Sequence, residues 1–372
     1  MSARVFIWEQ HLLGLGHFVR ARLIAEALRD ANFQVTLVTG GTVPVNGHPT
    51  GMNFVQLPSV RAKDENFDEI VDGAGQPVTL TSLEARRDQL LAAFQLSNPS
   101  ILITETFPFG RRLLDFELMA LMDCATHLPV RPKLLCSVRD VLQRPKKNLR
   151  AQSMIDRARS FFDGILVHGD PELIRLEQSF PEVSQVSELC HYTGYVCKAQ
   201  APYLGKRTEI LVSAGGGAAG KALVDVARHA KSLSRYRNTQ WTIVAGPLSE
   251  GVALCAENGL DVVKHLPDFQ ARLSRAAVSV SQAGYNTISE ALCAKTPTVA
   301  VPFETEREKE QSIRARLLAE KGLLTLLRVD ELSPESLAAA IDRAAERDMP
   351  SHGVNMDGQA GTVRCVTSFI AQ

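Results

Sequence analysis

The chain has no excess of charge of either sign. Its 372 residues carry 41 Lys and Arg against 41 Asp and Glu. That balance removes the electrostatic case for a nucleic-acid partner. Paired cysteine motifs are missing too. The seven cysteines stand at 124, 136, 190, 197, 255, 293 and 365, an odd number with no C-x-x-C spacing. This argues against a disulfide framework or a zinc site and fits thiols in a reducing compartment. The N-terminus lacks the charged-then-apolar order of a secretory signal, and no apolar run approaches membrane-spanning length. The expected location is cytoplasmic, with peripheral contact at the inner face of a membrane left open. No internal repeat and no low-complexity segment is visible.

What is present is enough apolar residue, 45% of the chain, to fill two domain cores at this length. The chain is organised around Ala277 to Gln311. Val278 and Val280 belong to a short β-branched run that breaks at Gln282-Ala283-Gly284. From Asn286, apolar residues recur at helical spacing through Ile288, Ala291 and Leu292 until Lys295-Thr296-Pro297. Thr298 to Val301 is a second β-rich run. The order is strand, glycine turn, helix, strand, one βαβ unit of a parallel sheet.

The turn carries the chemistry. A helix that opens at Gly284 presents free N–H groups with partial positive charge, an anion site that suits a diphosphate. Asn286, Thr287 and Ser289 add polar side chains beside it, and Glu290, one turn in, is placed to bridge two ribose hydroxyls. The plainer alternative is that Asn286 and Thr287 cap the helix and Glu290 complements its dipole.

The run S-Q-A-G-Y-N-T-I-S-E-A-L-C-A-K-T-P-T-V-A-V-P-F, with the stretch ending Glu310-Gln311, resembles the donor-binding signature of family 28 glycosyltransferases. The resemblance implies a GT-B fold: α/β, with two Rossmann-like doubly wound domains and an interdomain cleft. It implies that Gly284, Asn286 and Thr287 serve the donor phosphates, Glu290 the ribose, and Glu310 and Gln311 the sugar. The family has paired glutamines at the last two positions. Glu310 departs from that and leaves the sugar open.

The N-terminal half opens with a strand at Arg4 to Trp8 and a loop containing Gly14, Gly16 and His17. A helix over Phe18 to Leu28 and a strand over Gln34 to Val38 follow, a Rossmann-like beginning. A dinucleotide dehydrogenase is the obvious rival. It is weakened because the third fingerprint glycine is absent and the second strand ends Thr39-Gly40-Gly41, with no acid for a ribose. The family has a glycine-rich loop closing in Gly-His, which Gly14, Gly16 and His17 match; the resemblance implies that this loop faces acceptor and donor, with Gly14 and Gly16 serving the donor. An imidazole at that place can take a proton from an attacking hydroxyl. The local alternative is a histidine that caps or packs. Glu105, at the carboxyl end of a strand over Ile101 to Glu105, lies where open α/β sheets bind ligands. Asp140, after a strand over Lys133 to Val138, is a further candidate base. There the family's His-Glu motif is replaced by Ser137-Val138-Arg139-Asp140. Residues 59 to 79 read as a long loop over the acceptor site. Arg144, Lys146, Lys147 and Arg150 form a basic cluster, either a solvated loop or a contact for anionic headgroups or a phosphorylated acceptor. A helix is expected to start at Pro171 and run to Gln178.

The second half opens with a strand over Glu209 to Val212, then Ser213-Ala214-Gly215-Gly216-Gly217. Gly215-x4-Gly220-Lys221 superficially matches a P-loop, but Ala222 stands where Ser or Thr must hold magnesium. By the resemblance, Ser213 and Gly215 to Gly217 form a second phosphate loop. Leu266 and Phe269 read and flank the uracil, and Thr193-Gly194-Tyr195 marks the crossover between domains. The expected organisation is 1–196 for the acceptor, 197–354 for the nucleotide-sugar donor, and a terminal helix in 355–372 that packs back on the first domain.

The resulting reading is an inverting, metal-independent transferase with no cofactor. It moves a sugar from a nucleotide sugar, a UDP-sugar by resemblance, to a hydroxyl of a sugar, lipid-linked or small-molecule acceptor. His17 is the first choice of base, then Asp140 or Glu105. The expected assembly is a monomer or a homodimer. The rivals are a nucleotide-sugar epimerase of the same architecture and a nucleotide-sugar-binding subunit without turnover.

Overall fold

The structure, a computed structural model, describes residues 3–44, 47–64, 67–198, 203, 205–215, 218–246, 252–305, 308–347 and 353–371. Two compact units divide the chain. One comprises Met1–Pro171, Arg175–Val196 and Asp357–Gln372; the other comprises Glu172–Ile174 and Cys197–Met356.

The first unit begins with β1 (Arg4–Glu9), α1 (Gly16–Asp30), β2 (Gln34–Thr39) and β3 (Asn53–Gln56). A small antiparallel hairpin of β4 (Val60–Ala62) and β5 (Ile70–Asp72) follows, then α2 (Leu80–Ser97), β6 (Ile101–Glu105), α3 (Asp115–Thr126) and β7 (Lys133–Arg139). The unit continues with α4 (Asn148–Phe161), β8 (Gly164–His168) and β9 (Cys190–Tyr192). Seven strands form one sheet in the order β3-β2-β1-β6-β7-β8-β9, every neighbouring pair parallel. Helices cover both faces of such a sheet, so its strands are apolar without alternation. β6 and β8 are accordingly buried along their whole length. In α1 the buried residues Phe18, Ala21, Ile24, Ala25 and Leu28 make a single stripe of helical period.

The second unit repeats the plan with β10 (Glu209–Ser213), α5 (Ala218–Leu233), β11 (Gln240–Val244), β12 (Cys255–Glu257) and β13 (Leu260–Val263). Then come α6 (Phe269–Arg275), β14 (Ala276–Ser281), α7 (Tyr285–Cys293), β15 (Thr298–Ala300), α8 (Glu310–Glu320), β16 (Thr325–Leu326) and α9 (Pro334–Ala345). Its sheet runs β12-β13-β11-β10-β14-β15-β16, and only the β12–β13 pair is antiparallel. The last helix, α10 (Gly358–Ile370), belongs to the first unit, where Val366 and Phe369 join the core under α1. A Cβ on Gly361 would lie 2.0 Å from the Thr193 carbonyl oxygen, so only glycine permits that close approach.

Both sheets reverse their strand order once. Chain order runs outward from β1 to β3 on one side and from β6 to β9 on the other. In the second unit it runs from β10 on one side and from β14 on the other. Crevices at such switch points, outside the carboxyl ends of the strands, are where open α/β sheets take ligands.

Two sequence expectations need correction. Residues 59–79 are not one loop. They hold the β4–β5 hairpin, and the turn that follows β5 is closed by Asp72 Oδ1 accepting from the N–H groups of Ala74 and Gln76. Residues 171–178 form no α-helix. The Leu176 N–H donates to the Tyr192 hydroxyl at 3.0 Å and the Arg175 N–H to Gln178 Oε1 at 2.8 Å, and these local bonds replace the helical ladder. The basic segment is an exposed loop over Arg144, Lys146 and Lys147, while Arg150 lies in α4. Arg144 is engaged by Glu182 and donates to Asn148 at 2.7 Å, immediately before α4. Among the described residues no helix is long and apolar enough to cross a membrane.

Candidate active site

In the first unit the loop after β1 and the end of β6 lie on either side of the switch point. Gly14 has φ of 69°, a left-handed conformation that glycine adopts without a Cβ penalty. Gly16 opens α1, and His17 follows it. The His17 Nδ1 lies 2.7 Å from Glu105 Oε1. The histidine side chain is 18% exposed and the glutamate 1%, so the imidazole alone has an open edge.

Glu105 is closely surrounded. Arg20 donates to Oε1, Arg111 donates to Oε2 at 2.8 Å, and the Thr106 hydroxyl donates to Oε1 at 2.6 Å. Burial by itself would raise its pKa, but His17, Arg111 and Arg20 hold it well below the usual carboxylate value. An ionised carboxylate only accepts hydrogen bonds. The proton of a neutral His17 therefore sits on Nδ1, and Nε2 keeps its lone pair. Burial, followed by the Arg139 charge, lowers the His17 pKa to about 3 despite Glu105. The imidazole is neutral throughout the physiological range.

This arrangement reassigns two sequence candidates. Glu105 has no acid–base capacity of its own near neutral pH and serves to orient His17. Asp140 is fully buried and accepts a 3.2 Å hydrogen bond from the Tyr195 hydroxyl. Its carboxylate is therefore closed to solvent, unlike the His17 imidazole, and already engaged. Sequence reasoning missed Arg20 and Arg111. They stand 85 and 6 residues from Glu105, and no local pattern links an arginine inside α1 to the end of β6.

In the second unit the two glycine turns follow adjacent strands, with Ser213 of β10 in register with Ser281 of β14. Gly215 has φ of 68°, and a Cβ there would lie 2.5 Å from Gln282 Oε1. The first turn is therefore packed against the second. Gly216 and Gly217 lie outside the described residues. Gly284 is the N-cap of α7 and makes no side-chain capping bond. Asn286 and Thr287 stand half-buried in the first turn, and neither is the cap. Ser289, by contrast, turns inward and donates to the Tyr285 carbonyl at 2.8 Å, so it is not beside the helix end.

Glu290 accepts a 2.9 Å hydrogen bond from Gln270 of α6, and burial raises its pKa. Leu266 and Phe269, at the entry to α6, pack against a small apolar cluster that includes Leu211 and Leu273. Gln311 Oε1 accepts from the Phe303 N–H at 3.0 Å, and Glu310 accepts from Arg314 at 2.7 Å. Arg314 is another residue that sequence reading missed.

Residues 210–355 match the family model of the glycosyltransferase family 28 C-terminal domain. An uncharacterized glycosyltransferase of Methanopyrus kandleri is 28% identical over 152 residues, 41% of this chain and 42% of the relative. The UDP-N-acetylglucosamine–N-acetylmuramyl-(pentapeptide) pyrophosphoryl-undecaprenol N-acetylglucosamine transferase of Rhizobium johnstonii is 33% identical over 85 residues, 23% of each chain. The matched stretches thus span less than half the length of these relatives. The crystal structure of CalG4, the calicheamicin glycosyltransferase, has a TM-score of 0.60 at 15% identity and covers 100% of this chain and 95% of its own. The chain has the GT-B fold, and the stretch that matches the family 28 C-terminal domain lies within its second unit.

Proposed function

We propose that the chain transfers a sugar from a UDP-sugar to an acceptor hydroxyl with inversion at the anomeric carbon. The observation that carries the reading is the pair of half-sites at the two switch points: a neutral His17 oriented by Glu105, and two abutting glycine turns capped by a bare helix N-terminus. The Nε2 of His17 takes the acceptor proton as the hydroxyl oxygen forms its bond to the anomeric carbon. The bond from that carbon to the diphosphate breaks, and UDP leaves with the electron pair. The imidazolium that results is stabilised by Glu105. N–H groups at the start of α7, with Gly284, Asn286 and Thr287, and those of the loop from Ser213 through Gly215, meet the charge on the diphosphate. Glu290 takes the ribose hydroxyls, and Leu266 and Phe269 line the base. Glu310 and Gln311 reach the sugar. This assignment needs no metal ion, because helix and loop N–H groups supply the stabilisation. The uridine preference follows the relative that uses UDP-N-acetylglucosamine, and the acceptor is a sugar, a lipid-linked molecule or a small molecule.

A thermal-shift panel of UDP, GDP, dTDP, ADP and NAD tests the donor site, since a ligand that binds only the folded form raises its melting temperature. A shift with UDP, followed by UDP release from a UDP-sugar in the presence of an acceptor, is the expected result. A shift with NAD alone would overturn the reading.

A further inference from the structure

We propose that Arg314 is a positioning residue for the donor diphosphate, holding the Ala283–Gly284 turn in the shape that presents the start of α7. This rests on the donor-site reading above.

Ala283 has φ of 65°. An alanine in that region carries a steric cost, and such conformations persist where the surroundings impose them. The turn has no side-chain cap of its own. What reaches it is Arg314, a fully buried side chain from the second turn of α8. Its Nη1 donates to the Ala283 carbonyl at 3.1 Å. Its Nη2 donates to Glu310 at 2.7 Å. Its guanidinium carbon stands 5.6 Å from the centre of the Tyr285 ring, within the range of a cation–π contact. One planar fork therefore grips the strained residue, the first residue of α7 and the first residue of α8. A lysine has a single donor point and cannot hold that geometry.

Without the clamp, Ala283 relaxes toward an ordinary backbone conformation and the N–H groups of α7 turn away from the phosphates. Contacts to the nucleoside are made elsewhere, through Glu290 and the entry to α6. The loss should therefore be selective. Titration calorimetry of wild type and Arg314→Lys with UDP and with uridine reads this directly. UDP affinity is expected to fall about tenfold or more and uridine affinity less than about twofold. Arg316→Gln, on the same helix and paired at the surface with Glu320, should keep both affinities. The double variant Ala283→Gly/Arg314→Lys should recover part of the UDP loss, because glycine takes the positive φ freely.

Equal losses for UDP and uridine would mean a merely structural role and would overturn the inference, as would unchanged UDP affinity. Absence of UDP binding by the wild type would overturn the donor-site reading and the inference together. If Arg314→Lys does not fold, Arg314→Gln, which retains an amide donor, is read by the same criteria.

Discussion

The Nδ1 of His17 meets Oε1 of Glu105 at 2.7 Å across the point where the first sheet reverses its strand order. The carboxylate accepts the Nδ1 proton, which leaves Nε2 as the only basic atom of the pair. Replacing His17 by Ala should lower kcat by about 10²–10⁴. The KM for the nucleotide sugar should stay near wild type, because the donor contacts proposed above for Gly284, Glu290 and the entry to α6 do not involve the imidazole. Initial rates of UDP release at saturating donor check this. A variant with full kcat would remove His17 as the base.

Glu105→Gln has two consequences that the same protein sample separates. The amide cannot accept as a carboxylate does, so the Nδ1 tautomer is no longer enforced and kcat falls. It also leaves Arg20, which is fully buried, and Arg111 without their anion. Breaking a buried pair by removing one partner costs about 3–5 kcal/mol. Urea unfolding should therefore show a lowered midpoint for Glu105→Gln, whereas His17→Ala, which takes away no charge at neutral pH, should shift it far less.

The His17 pKa of about 3 has a sign that two measurements can read. The folded value lies below the ordinary histidine value of about 6.5. Between these two values the unfolded chain binds the extra proton, so the folded state loses stability as pH drops from about 6.5 toward 3. In activity, a base that is neutral down to about pH 3 produces no acid limb near 6.5. The profile of kcat at saturating donor should be flat from neutral pH downward until unfolding intervenes. A limb with a midpoint near 6.5 would show that the imidazole titrates as an exposed one does.

Much of this architecture is visible in the sequence, for a physical reason. Parallel strands buried on both faces are short apolar runs, the turns at Gly14 and Gly215 take left-handed backbone, and Gly284 marks a strand-to-helix turn, so these glycines stand out. The side chains that complete each half-site do not stand out. Arg20, Arg111 and Arg314 reach their partners through the folded chain, and an arginine on a helix looks like any solvated charge. α4 was concealed differently. Its buried residues Ala151, Met154, Ile155 and Ala158 have helical spacing, but the basic run before it draws the eye to a loop. The burial of Asp140 was not legible either, because a sequence position at the end of a strand says nothing about burial.

Glu290→Ala tests the ribose assignment. A hydrogen bond to a charged group contributes about 1.5–3 kcal/mol, so UDP affinity should weaken roughly 10–100-fold. Gln270→Ala, which removes the donor 2.9 Å from Glu290 Oε1, should weaken it less. Burial raises the Glu290 pKa. The carboxylate is therefore protonated at a higher pH than an exposed one, and wild-type UDP affinity should begin to fall in mildly acidic buffer. In calorimetry, unchanged affinity for Glu290→Ala would separate this carboxylate from the ribose.

Arg86 supports the loop before His17 from below. It is fully buried, pairs with Glu117 at 2.6 Å and donates to Gln10 Oε1 at 2.7 Å and to the Pro58 carbonyl at 2.6 Å. A Cβ on Gly40 would lie 2.0 Å from the same guanidinium. Arg86→Met leaves a buried carboxylate unpaired and should destabilise the first unit by about 3–5 kcal/mol. Arg86→Met/Glu117→Leu removes both charges and should cost less than the single variant, because no ion is left in the core. Paired denaturation curves decide it. A double variant less stable than Arg86→Met would mean that Glu117 contributes to this corner of the fold beyond its pairing with Arg86.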